Sequence, residues 1–98
     1  MDVDIQALHS DVHPRWRGLI DRRAKKLVTI CDGILRLHVT MVHNTHHKHG
    51  HEEVRLLANL PDETLRVQKT RPSMGDAIHA AFSALEQEVR HFVARRRA

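Results

Sequence analysis

The chain reads as an α+β domain with the element order β-α-β-β-β-α, in which two helices cover one face of a four-stranded, mostly antiparallel sheet. Three observations predict it: a two-residue apolar alternation in four short segments, a three-and-four apolar spacing in two longer ones, and a turn or cap signal at each junction. With 98 residues, 41% of them apolar, the sequence supports one domain over residues 1–98 and a single modest core.

In the opening "VDIQAL", Val3, Ile5 and Ala7 alternate with Asp4 and Gln6, the pattern of a half-buried strand. Pro14 suits the first position of a helix. Trp16, Leu19, Ile20, Leu27 and Ile30 then share one helical face, flanked by Arg23 and Ala24, which predicts a helix over about 14–31. Asp32 and Gly33 are expected to stop it, the glycine taking the left-handed conformation.

From Ile34 the period becomes two. Leu35, Leu37, Val39 and Met41 are expected to face the core, opposite Arg36, His38, Thr40 and Val42. A second alternation sets Val54, Leu56, Ala58 and Leu60 against Glu53, Arg55, Leu57 and Asn59. Pro61 and Asp62 turn the chain, and Leu65 and Val67 alternate with Arg66 and Gln68. These three strands form a meander whose outer face is polar and basic, with Arg36, His38, Arg55 and Arg66. Ser73 followed by Asp76 resembles a capping box, and Ile78, Ala81, Phe82, Leu85, Val89, Phe92 and Val93 predict a last helix over about 73–95.

No eighteen-residue apolar run is present, so no membrane span is expected, and "MDVDIQALH" lacks the order of a secretory signal; a cytoplasmic protein is expected. The single cysteine, Cys31, lies among Leu27, Ile30 and Ile34 and reads as a reduced packing residue. No nucleophile with a base and an orienting group can be assembled from the spacing, and no glycine loop cradles a phosphate. Ser73, Ser83, His79 and His91 are assigned no role. The chain is therefore read as no enzyme, with no catalytic residues, cofactor or small-molecule substrate, and as a monomer when alone.

Sixteen Lys and Arg oppose twelve Asp and Glu, and the bases are bunched. Residues 15–26, "RWRGLIDRRAKK", hold six bases and one acid: Arg15, Arg17, Arg22, Arg23, Lys25 and Lys26. Arg15, Arg22 and Lys26, with Lys25 one turn round, lie away from the apolar face and form a stripe able to follow a phosphate backbone. Arg90, Arg95, Arg96 and Arg97 make a second basic segment at the end of the last helix, read either as further contacts for nucleic acid or as a frayed, solubilising tail. Such segments point to nucleic acid.

"HNTHHKHGH", residues 43–51, holds five histidines: His43, His46, His47, His49 and His51. If extended, His47, His49 and His51 share one side and, with His43 or His46, can capture zinc or nickel weakly; no cysteine is near, and no metal site is assigned. Alternatively they form a solvated loop whose imidazoles meet RNA phosphates or ribose hydroxyls and gain charge in mildly acidic solution. A histidine-rich metal-binding protein is thus one alternative, and a general structured-RNA binder another.

The element order, together with Pro14 and Arg17 opening the first helix, Arg23, Lys26 and Leu27 within it, "HKHGH" before Val54, "LPDETLRV" and "DAIHAAF", resembles the ribosome hibernation promoting factor family, also described as ribosome-associated inhibitor or sigma-54 modulation proteins. The resemblance covers nearly the whole chain and implies a fold like a double-stranded-RNA-binding domain with an extra first strand. It also implies a translation inhibitor on the small ribosomal subunit, in the channel of messenger and transfer RNA, stabilising inactive ribosomes. The chain looks like the short form. The six bases of the first helix, Lys48 in the hairpin, and Arg90 with Arg95 to Arg97 are the residues this implies for ribosomal RNA. The last helix departs from the family, with Ala84, Glu86, Gln87 and Glu88 where Lys or Arg is usual. Before that helix the family's usual Asp is Ser73, and the aromatic that often follows is Gly75.

Overall fold

A computed structural model describes residues 1–8, 10–44 and 51–97. The elements are β1 (Asp2–Leu8), α1 (Pro14–Ile30), β2 (Arg36–Asn44), β3 (His51–Asn59), β4 (Thr64–Arg71) and α2 (Met74–Arg97). The sheet order is β1-β2-β3-β4. β1 pairs parallel to β2 because α1 carries the chain back across the sheet; β2, β3 and β4 pair antiparallel as a meander.

The expected alternation sorts the two faces. Leu37, Val39 and Met41 of β2, Val54, Leu56 and Ala58 of β3 and Leu65 of β4 are buried under the helices. Ile20, Ala24 and Leu27 of α1 and Ala77, Ile78, Ala81, Phe82, Leu85, Val89 and Phe92 of α2 close the core from above. Phe82 is the largest fully buried side chain, so its loss to alanine would cost about 3–5 kcal/mol. Cys31 is half-buried against this core, as a packing residue should be.

Local chemistry sets the helix ends, and in two places it differs from expectation. His13 caps α1, its Nδ1 accepting the Arg15 N–H at 3.1 Å, with Pro14 in the first turn as predicted. At the other end Gly33 is not left-handed: α1 stops at Ile30 because Cys31 turns extended (φ −152°, ψ 112°) while its N–H still reaches the Leu27 carbonyl at 3.1 Å. Leu35 was expected in the core and is 59% exposed. It lies just before β2, where Ile34 turns inward and the alternation restarts at Arg36.

Ser73 Oγ accepts the Asp76 N–H at 3.2 Å, and Asp76 in the first turn with Arg95 to Arg97 in the last complements the dipole of α2. The arginine tail is therefore not frayed. It forms the last turn of α2, which runs to Arg97.

Candidate RNA-binding surface

α1 and α2 lie side by side on the sheet, and the cations predicted on α1 differ in what they meet. Helical spacing puts Arg15, Arg22 and Lys26 in one line, and the Lys26 ammonium reaches Glu86 of α2 at 3.8 Å. Lys25, three residues on from Arg22 and so its neighbour on the helix surface, borders the same face beside Met1, Val3 and Val28 near the edge strand. Arg15 lies over the Trp16 ring, 4.5 Å from its centroid, which holds the guanidinium against the helix start.

Arg23 is not an exposed stripe residue. Its side chain is only 16% exposed and its guanidinium is taken up by α2: Nη2 lies 3.3 Å from Glu86 Oε1 and 3.2 Å from Ser83 Oγ, and Nη1 donates to His79 Nδ1 at 2.9 Å. The Phe82 ring lies beneath, 5.7 Å from the guanidinium carbon. Glu86 sits at the centre of the helix pair, 7% exposed, holding Arg23 with one oxygen and facing Lys26 with the other. A carboxylate occupies the middle of the surface on which the resemblance implies cations. His79 and Ser83, given no role from the sequence, position Arg23.

Beyond this centre, Arg90 and Arg97 line a depression of about 520 Å³ with Ile30, Val93 and Ala94, where the end of α1 meets the last turns of α2. Arg95 is held by Glu63 at 3.3 Å and Arg96 by Asp62 at 3.0 Å, which ties the last turn of α2 to the turn before β4. Arg96 also covers the Phe92 ring at 4.9 Å. Among the described residues, Arg15, Arg17, Arg22, Lys25, Arg90 and Arg97 have no acidic partner, and all six are exposed.

Gly75 is explained by packing. A Cβ there would stand 3.5 Å from Cζ3 and 3.6 Å from Cη2 of Trp16, so the space beside the start of α2 is filled by an indole from α1.

Lys48, His46, His47 and His49 lie outside the described residues. His43 and His51 flank them on β2 and β3. His43 Nδ1 bonds to Oε1 of Glu52, its partner across the ladder, on the helix-covered side of the sheet. Glu52 is 8% exposed, and its Oε2 is buried without a hydrogen-bond partner among the described residues. Among those residues no group of three or more His, Cys, Asp or Glu side chains is placed to hold a metal ion. No helix among them is long and apolar enough to cross a membrane.

A four-stranded mixed sheet under two helices, with exposed cations on both helices, defines an α+β domain whose helix surface suits a polyanion. Residues 3–97 match the family described as sigma 54 modulation protein / S30EA ribosomal protein, and the chain belongs to it. Two solved structures share the fold at 19% identity. A ribosomal subunit interface protein from Coxiella burnetii superposes with a TM-score of 0.86, covering 96% of this chain and 99% of that one. The N-terminal domain of Protein Y from Thermus thermophilus superposes at 0.82, covering 94% and 99%. A search of the curated proteins finds no match.

Proposed function

We propose that this ribosome-associated protein is a translation inhibitor that seats on the small ribosomal subunit, in the channel used by messenger and transfer RNA, and stabilises inactive ribosomes. The observation that carries the proposal is the set of six exposed cations without acidic partners among the described residues, spread over both helices of a chain of this family. Cations held by a rigid helix pair contact phosphates in fixed register, and the domain then competes by occupying space; no bond is made or broken. The name of the Coxiella relative, a ribosomal subunit interface protein, supports a seat on a ribosomal subunit. On this reading the protein works in the cytoplasm, as a monomer, and is not an enzyme.

The test is cosedimentation of the purified protein with small ribosomal subunits at moderate salt, with and without chelator, beside a total transfer RNA control. Near one-to-one retention that survives chelator and falls steeply with salt is expected, because six phosphate contacts give a logarithmic salt slope of roughly −4 to −5. Retention on transfer RNA alone would make it a general structured-RNA binder. Retention abolished by chelator would favour metal dependence.

A further inference from the structure

The sheet face opposite the helices carries Arg36, Arg55 and Arg66 beside Asp2, Asp4 and Glu53, with one depression among them. The strand register places His38, Leu57 and Arg66 in one row across β2, β3 and β4, and Thr40, Arg55 and Gln68 in the next. These side chains line a depression of about 370 Å³ on the open face. Leu57, half-buried, gives it an apolar floor on a face that is otherwise largely polar.

The acids of this face are already engaged. Asp2 and Asp4 on β1 hold Arg36 at 3.8 and 3.9 Å, and Asp4 also reaches His38 Nδ1 at 3.3 Å. Glu53 accepts from Arg55 Nε and from Gln68 Nε2, both at 2.7 Å. That arrangement fixes Arg55 through Nε and leaves its two Nη groups uncommitted, and it leaves the Gln68 carbonyl oxygen free to accept. Arg66 has no acidic partner among the described residues, and it is exposed. Arg55 and Arg66 are diagonal neighbours on adjacent strands, about 7–8 Å apart at Cβ, a separation that two long guanidinium side chains can close around one phosphate.

We infer that this depression binds one nucleotide unit of an unpaired RNA strand. Arg66, which has no acidic partner among the described residues, holds the phosphate, with the Arg55 Nη groups in support beside the carboxylate of Glu53; Leu57 packs against the base, and the Gln68 carbonyl with the uncommitted His38 nitrogen meets its polar edge. Trp16, Phe82 and Phe92 all lie on the helices, so the base meets only Leu57 and the His38 ring here, and the site discriminates little between sequences. The domain thereby presents phosphate-binding groups on two opposite surfaces. The inference deepens the RNA-binding reading and rests on it for the identity of the polymer.

The test uses the whole ¹⁵N-labelled protein at low salt, titrated with a six-nucleotide oligouridylate and, separately, with uridine monophosphate. Oligouridylate is expected to shift the amides of His38, Leu57 and Arg66. Arg66→Glu should remove those shifts and weaken that binding about tenfold, the loss of one charge-assisted contact, with the thermal midpoint preserved. Arg22→Glu with Lys26→Glu should leave them in place. Shifts confined to α1 and α2 would overturn this inference while leaving the helix surface as the RNA site. Silence at both surfaces would overturn the two together. Uridine monophosphate carries the same phosphate and base, so it too should shift these three amides; shifts there from oligouridylate with none from uridine monophosphate would overturn the single-nucleotide site.

Discussion

Arg23 on α1 and Glu86 on α2 join the two helices through a 3.3 Å contact between Nη2 and Oε1, with side chains only 16% and 10% exposed. The pair is shielded enough that removing one partner strands the other. Arg23 Nε is already buried without a hydrogen-bond partner among the described residues, so its guanidinium depends on Glu86, Ser83 and His79.

Glu86→Ala is therefore expected to destabilise the fold by about 2 kcal/mol, a fall of about 10 °C in Tm. The double variant Arg23→Met, Glu86→Leu should recover most of it, because packed apolar groups replace a pair of charges at small net cost. Urea denaturation of the single and double variants gives the coupling; additive losses would show that the two side chains act separately.

Reversal of Arg22 and Lys26 to Glu should abolish association with the small subunit and leave the fold intact, since both side chains are exposed. Circular dichroism and cosedimentation together check this. Unchanged association would place the contact on another face.

Replacing Asp62 and Glu63 by Ala frees Arg96 and Arg95. Exposed ion pairs contribute little, so stability should move by no more than about 1 kcal/mol, while affinity for RNA rises as two cations become available. Weaker binding would mean that the ion pairs serve to orient the arginines.

Glu52 has one buried oxygen without a partner, and its neighbour His43 is exposed enough to turn to water. Glu52→Leu is expected to be neutral or stabilising, by up to about 1 kcal/mol, because a desolvated carboxylate gives way to an apolar contact. A loss above about 2 kcal/mol in chemical denaturation would show that the His43 bond outweighs the desolvation.

His46, His47 and His49 give a prediction of sign. Each proton gained adds positive charge beside a polyanion, so RNA association should tighten from neutral pH towards about pH 6. Fluorescence anisotropy across that range, repeated with His46, His47 and His49 replaced by Gln, measures it; a flat profile for the parent chain sinks the idea.

Where the architecture was legible, it was so because periodicity is a local property. Val3, Ile5 and Ala7, or Ile78, Ala81, Phe82 and Leu85, announce their faces within a few residues, and the core follows. The departures arise where distant residues decide. Arg23 looks like any helix cation until Glu86, sixty-three positions on, claims it. Arg95 and Arg96 look like a loose tail until the turn at Asp62 and Glu63 comes alongside. The basic outer face of the meander was visible in the alternation, but its depression around Leu57 was not, since it depends on which residues stand opposite one another across strands.

β1 touches the sheet along one side only, and Asp2 meets Arg36 only after the chain has crossed all of α1. The β2–β3–β4 meander, by contrast, pairs strands that follow one another directly. Both β1 and β4 have a single neighbour, but only β1 closes its ladder across a whole helix, so β1 is expected to dock last on folding and depart first on opening. The amides of Val3 to Ala7 should therefore exchange with solvent through a partial unzipping that leaves Val39 and Leu56 protected. On that expectation the first strand behaves as a detachable margin, and the meander holds the sheet together without it.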